Sequence, residues 1–157
     1  MEDGYVLNND LKMQIEQLSI NNLKQLIELV LALWEDCEFE EEFDNYKNII
    51  GSENEICYLY KDQENYIAFI HVSTRNDYVA GAVDLPVAYV EGIYVKPTYQ
   101  KQGIAKKLMN VVEGWAKQKG YKQLASDTEI TNTESIDFHK KIGFTEVERI
   151  VCLIKDL

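Results

Sequence analysis

One stretch, YVEGIYVKPTYQKQGIAKKL from Tyr89 to Leu108, restricts the fold more than any other part of the chain. Its first half alternates and is rich in Val, Ile and Tyr, which reads as a β-strand. After Gly103 the period changes: Ile104, Leu108, Val111, Val112 and Trp115 share one helical face, and Gly120 ends the helix. A strand that passes through a glycine turn into a helix leaves several backbone N–H groups unpaired at the positive end of the helix dipole. Such a turn suits an anion, above all phosphate. Gly103 lets a ligand approach the backbone, Ala105 is small, and Lys101, Lys106 and Lys107 add positive charge. The turn lacks a trailing Gly-Lys-Ser/Thr and also lacks further glycines, so it is neither a nucleoside-triphosphatase loop nor a dinucleotide fingerprint. A glycine before a helix is also a common packing device, and the turn alone leaves both readings open.

Around this stretch the chain reads as a single domain over residues 1–157, with 1–12 as an N-terminal arm. MQIEQLS alternates as a first strand, and NNLKQLIELVLALWED is a mostly apolar helix with Asn21 as its cap, running through Trp34. EFDNYKNIIGS is a second helix that Gly51 closes, and EICYLYKDQENYIAFIHVS is a hairpin around a polar turn, with His71 as an ordinary strand residue. TRNDYVAGAVDLP, carrying Tyr78, is long enough to be a binding loop. Beyond Gly120, KQLASDTEI reads as a strand, NTESIDFHKKIG as a short helix stopped by Gly143, and FTEVERIVCLI as a closing strand.

The formal charge is −11, from 16 basic and 27 acidic side chains, which repels nucleic acid and anionic membranes and favours a cationic partner. Part of it lies in EDCEFEEEFD, Glu35 to Asp44, either a solvated helical face or a rim that attracts substrate. Cys37, Cys57 and Cys152 have no metal-ligand spacing and leave one thiol over in any pairing, which suits free cysteines in a reducing cytoplasm. No metal site is expected. The start is acidic rather than basic then apolar, and no run reaches membrane-spanning length.

The succession of strand, Gln-x-x-Gly-x-Ala turn, helix, then an Asn-bearing helix ending in Gly-Phe resembles the GNAT N-acetyltransferases. From Met13 onward the resemblance narrows to the aminoglycoside 6'-N-acetyltransferases. The residues that carry it are EGIYV, ASDTEI with NTES, and FHKKIGF followed by VERIVCL, with LALWED and RNDYV upstream. It implies an α/β (α+β) fold: a mixed, mostly antiparallel central sheet flanked by helices, with splayed strands forming an acyl-CoA cleft. It also implies acetyl-CoA as acetyl donor, a polycationic aminoglycoside as acceptor, direct attack in a ternary complex, and a homodimer.

Position by position, the resemblance implies that the backbones of Ile93, Tyr94 and Val95 line pantetheine and the acetyl group. The turn from Lys101 through Gln102, Gly103, Ile104 and Ala105 to Lys106 takes the pyrophosphate, and Asn132 adds a further cofactor contact. On the acceptor side it implies an acidic cleft of Glu91, Asp127 and Glu148 between the aromatic walls Trp34 and Tyr78. Carboxylates suit this chemistry, because an amine arrives as ammonium and must be held and then deprotonated before it attacks. Asp127 is the expected holder of the reacting amine, Glu91 a base acting directly or through water, and Glu148 a contact to other amines. His139 stands where many members of the wider family carry a tyrosine as general acid, so proton delivery to sulfur and a plain packing role are both open to it. Two other functions fit the residues: acetylation of a polyamine or other small cationic amine, and a noncatalytic acyl-CoA-binding module.

Overall fold

The computed structural model describes residues 14–157, so the arm read over 1–12 lies outside the described residues. Five strands form one sheet in the order β1-β2-β3-β4-β5: β1 (Ile15–Gln17), β2 (Glu55–Asp62), β3 (Asn65–Arg75), β4 (Val87–Val95) and β5 (Leu124–Ser126). All neighbours are antiparallel except β4 and β5, which run parallel. The helices are α1 (Leu23–Leu33), α2 (Phe39–Lys47), α3 (Ile104–Gln118) and α4 (Thr133–Lys141). The mixed, mostly antiparallel sheet flanked by helices is therefore formed as expected.

Strand alternation divides the core into two layers. Cys57, Leu59 and Phe69 face α1 and α2, where Leu26, Ile27 and Val30 are completely buried. Ile56, Ala68, Ile70, Val72 and Val90 face Leu108, Met109 and Val112 of α3, with Phe138 and Ile142 packed at the edge. Each fully buried Leu, Ile or Phe of this set contributes about 1.5–3 kcal/mol. The buried stripe of α3 includes Met109 and Ala116, while Val111 and Trp115 are half-buried on its flank. α1 begins after Asn22 rather than Asn21. The Asn22 side chain accepts from the Ser19 N–H at 2.8 Å and donates to the Gln17 carbonyl at 3.1 Å, so it braces the preceding turn.

Three local readings change. His71, a residue of β3 as expected, is half-buried and not merely packed: Nε2 lies 3.1 Å from Glu55 and Nδ1 3.5 Å from the Tyr46 hydroxyl. The expected strand over KQLASDTEI stops at Ser126, so Asp127 is outside the ladder. The closing strand over FTEVERIVCLI is not formed: residues 144–157 carry neither helix nor strand, and Ile150, Val151, Leu153 and Ile154 are 71–97 % exposed. Alternation supplies strand propensity, but a strand also requires an edge to pair with, and this segment pairs with none among the described residues.

The consequence for function lies at β4. Its pairing with β5 covers only Ala88–Val90 against Leu124–Ser126, while β4 itself continues to Val95. From Glu91 onward the outer edge of β4 has no strand beside it among the described residues. The two strands part after the pair Val90 and Ser126, and Glu91 and Asp127 are the next residues on either side of the fork.

Candidate active site

The fork is shaped by a bulge. Register between β3 and β4 shifts at His71/Val72, where His71 pairs with Gly92 and Val72 with Val90, leaving Glu91 as the extra residue. A bulge bends its strand and re-aims a side chain. Here it turns Glu91 toward Ser73 and Arg75 of β3. Arg75 donates from Nε at 2.9 Å and from Nη2 at 2.8 Å to the two carboxylate oxygens, and the Ser73 hydroxyl donates to the first of them. Burial pushes the Glu91 carboxyl up, but the hydrogen bonds from Arg75 and Ser73 outweigh it and hold its pKa below the ordinary value. The stability this adds is complete above the ordinary carboxylate pKa and is lost as pH falls through the lowered folded value.

Tyr89, two residues before Glu91 on the same face of β4, points its hydroxyl at Asp127 and donates to Oδ2. Burial and the Asp127 carboxylate push the phenol well above its ordinary pKa, so it remains a donor at neutral pH. The Arg75 guanidinium lies over the Tyr89 ring, with Cζ 3.4 Å from the centroid. Glu91 and Asp127 thus belong to one connected group with Ser73, Arg75 and Tyr89. Sequence reasoning named the two carboxylates and missed the other three. The available signal was strand parity: Ser73 and Arg75 share a face of β3, as Tyr89 and Glu91 share one of β4.

Trp34, the residue after α1, is 37 % exposed and reaches the cleft by lying against Gly92. A Cβ added at Gly92 would stand 2.5 Å from Trp34 Cη2, so only glycine allows this approach. Tyr78 is 80 % exposed in the loop between β3 and β4. Glu148 is also exposed; it follows Val147, whose side chain lies against Gly81 of that loop, and makes no hydrogen bond or ion pair with Glu91 or Asp127 among the described residues.

At the other end of the free β4 edge, Pro97–Tyr99 forms one 3-10 turn and the chain enters α3 through Gly103. Lys101 and Gly103 both take left-handed conformations, with φ of 60° and 78°. No acidic residue lies in the first turn of α3, which carries Lys106 and Lys107 instead. A Cβ at Gly103 would meet nothing within 4 Å, so the approach to the helix N-terminus is open. The residues present fit a phosphate-bearing ligand lying along the β4 edge: unpaired N–H groups, a helix dipole and lysines at one end, and bare strand backbone leading to the fork. Asn132 caps α4, its Oδ1 accepting from the Ser135 N–H at 3.1 Å.

His139 of α4 is buried, with Nδ1 2.7 Å from the Ser135 carbonyl and Nε2 2.8 Å from the Ser126 hydroxyl. A carbonyl only accepts, so Nδ1 carries the hydrogen and the ring ties α4 to the end of β5. Only as imidazolium does it hold a transferable proton on Nε2, and Ser126 is then its neighbour. His139→Ala removes both bonds and leaves a cavity, and is expected to cost about 2 kcal/mol and to lower Tm by roughly 4–8 °C in thermal unfolding. Unchanged Tm with a reduced kcat would instead assign His139 to proton delivery.

With this geometry in hand, comparison with known proteins gives a consistent result. The model of the acetyltransferase (GNAT) family matches residues 23–144. The chain belongs to that family. Among GNAT relatives, aminoglycoside N(6')-acetyltransferase type 1 of Serratia marcescens is 37 % identical over 138 residues, 87 % of this chain and 94 % of the relative. The enzyme of the same name from Acinetobacter baumannii is 36 % identical over 146 residues, 92 % and 99 % of the two chains. Among solved GNAT structures, AAC(6')-Iy in complex with the bisubstrate analog CoA-S-monomethyl-acetylneamine superposes with a TM-score of 0.86 at 31 % identity, covering 91 % of this chain and 97 % of the other.

Proposed function

We propose that this protein is an aminoglycoside 6'-N-acetyltransferase that uses acetyl-CoA and confers resistance to the antibiotics it modifies. The observation that carries the proposal is the fork, where β4 and β5 part with a carboxylate on each arm and a phosphate-binding turn at the far end of the free edge. The names of the relatives and the bisubstrate complex of a similar structure support the substrate pair. Acetyl-CoA supplies the acetyl group as a thioester. The turn Lys101–Lys106 holds its pyrophosphate, with Gln102, Ile104 and Ala105 contributing backbone, and the β4 backbone at Ile93, Tyr94 and Val95 lines the pantetheine and polarises the carbonyl. Asn132, whose amide nitrogen is free of the cap, adds a cofactor contact.

On the acceptor side Asp127 receives the reacting ammonium and takes its proton, because among the described residues its carboxylate accepts a single side-chain hydrogen bond, from Tyr89. Glu91 adds negative charge beside it, with both oxygens already engaged by Arg75 and Ser73. Trp34 and Tyr78 offer faces to sugar rings, and Glu148 takes a further amine. Acetylation is tested by product analysis: incubation with acetyl-CoA and either a 6'-amino aminoglycoside or spermidine, followed by mass spectrometry and NMR. The proposal expects one acetyl group on the 6'-nitrogen. Acetylated spermidine with unmodified antibiotic would transfer the assignment to a polyamine acceptor, and cofactor binding without any product would leave an acyl-CoA-binding module.

We further propose a homodimer, in a cytoplasm that the free thiols Cys37, Cys57 and Cys152 suit. What supports the dimer is the uncovered apolar segment after α4, together with the open outer side of β5, where a groove of about 420 Å3 is lined in part by Ala125, Ser126, Phe144 and Val147. A second copy supplies a strand of the right composition for that edge. Light scattering is expected to give a dimer for the full chain and a monomer after deletion of residues 146–157. A monomeric full chain at micromolar concentration would contradict this.

A further inference from the structure

Arg75 ends β3 and its side chain is 40 % exposed, yet it is held on two sides. Its fork occupies both oxygens of Glu91, its plane covers Tyr89, and Tyr89 in turn donates to Asp127. No other basic side chain makes an ion pair with either carboxylate among the described residues. The titratable groups facing Glu91 are Arg75 and His71 from β3 and, through Arg75, Tyr89 of β4 and Asp127 after β5. His71 is itself hydrogen-bonded to Glu55.

We propose that Arg75 is a positioning and specificity-determining residue of the acceptor cleft: it matches the charge of Glu91, fixes the Tyr89 hydroxyl on Asp127, and so leaves Asp127, rather than Glu91, free to pair with the reacting ammonium. This deepens, and rests on, the acetyltransferase reading above. The arrangement divides labour between two acidic groups that the sequence leaves equivalent. Glu91 is bound to the protein's own cation in a planar, two-bond geometry that an alkylammonium cannot reproduce. Asp127 has one oxygen oriented by a phenol and the other available. The reacting amine is thereby directed to one atom rather than shared between two carboxylates, which keeps it in a single attack geometry.

Removing the guanidinium has two separable consequences. Glu91 loses the donors that counter its burial, so its carboxyl takes up a proton at higher pH. Tyr89 loses the plane that covers its ring, so the Asp127 acceptor is less well fixed. Arg75→Met, which keeps the apolar stem, is expected to lower kcat about tenfold or more and to move the acidic limb of kcat/KM for the aminoglycoside upward by about one pH unit. KM for acetyl-CoA stays unchanged. Arg75→Lys keeps a charge but neither fork nor plane, and is expected to return the acidic limb toward wild type while leaving kcat low. Tyr89→Phe, which spares the Arg75–Glu91 pair, is expected to lower kcat and to leave the Glu91 carboxyl as in wild type.

The test is therefore a pH series from 5 to 9, on the order of the range a carboxylate limb spans, for wild type and these three variants, alongside carboxyl-carbon NMR titration of Glu91 and Asp127 without substrates. A raised Glu91 pKa in Arg75→Met, with the kinetic pattern above, is the expected result. Wild-type kcat and acidic limb in Arg75→Met, or full kcat in Arg75→Lys if the Met variant does not fold, would overturn the proposal and reduce the pair to a surface ion pair. If wild type acetylates no aminoglycoside, the acetyltransferase reading fails separately. The NMR titration then decides whether Arg75 sets the carboxylate charge, with an unchanged Glu91 pKa in the variant overturning it.

Discussion

Asp127→Asn is expected to lower kcat/KM for the aminoglycoside by about 10²–10⁴-fold while leaving acetyl-CoA affinity and Tm near wild type. Asparagine is nearly isosteric and its carbonyl oxygen still accepts from Tyr89, so the structural contact at the end of β5 survives. The changes are the lost negative charge opposite the ammonium and the lost ability to take its proton. Because Asp127 lies outside the β4–β5 ladder, no ladder bond depends on it. Steady-state kinetics, with isothermal calorimetry for the cofactor, separates the effects. A loss of less than threefold would mean that the reacting amine is held elsewhere, with Glu91 the first alternative.

The second large effect is expected at the turn. Gly103→Asp places a carboxylate where the helix dipole and the neighbouring lysines favour an anion, and acetyl-CoA affinity is expected to fall by roughly 100-fold or more. The same substitution also puts a non-glycine residue at φ 78°, a left-handed conformation that aspartate and asparagine adopt at a smaller cost than other side chains. Gly103→Asn separates the two, since asparagine tolerates the left-handed region and brings no charge. No side chain stands within 4 Å of the new Cβ, so neither variant suffers a clash. Calorimetric titration with coenzyme A should therefore rank wild type above Asn and Asn well above Asp. Equal affinity in all three would remove the pyrophosphate from this turn.

Much of this architecture is legible in the sequence because two periods meet at Gly103. The alternation of AYVEGIYV and the helical stripe from Ile104 fix the strand, the turn and the helix, and with them one end of the site. Both arms of the fork are legible as well, as Glu91 and Asp127. What one strand's pattern cannot contain is its pairing. The bulge opposite His71 depends on β3 and β4 together, and it brings Glu91 to Arg75, 16 residues away across the loop between the two strands. Tyr89 looks like any of ten tyrosines until Asp127 is placed beside it. His71 looks like an ordinary strand residue until Glu55 and Tyr46 surround it.

The segment after α4 shows the opposite failure. VERIVCL has the composition of a strand, and in the chain alone it forms none, because propensity supplies no edge. The shortening of β5 has a similar origin. Leu124–Ser126 can pair with β4 only up to the point where the strands part, and the residue that would continue the ladder instead meets Tyr89. In both places the deviation from the sequence pattern coincides with a proposed functional feature, the acceptor site in one case and the dimer surface in the other.

The central claim is that this fork acetylates a 6'-amine, and the most direct measurement is thiol release from acetyl-CoA with two aminoglycosides that differ only in bearing an amine or a hydroxyl at the 6'-position. The account predicts sustained thiol release with the amine and only background hydrolysis with the hydroxyl. Equal rates with both, or none with either while coenzyme A binds, would contradict it.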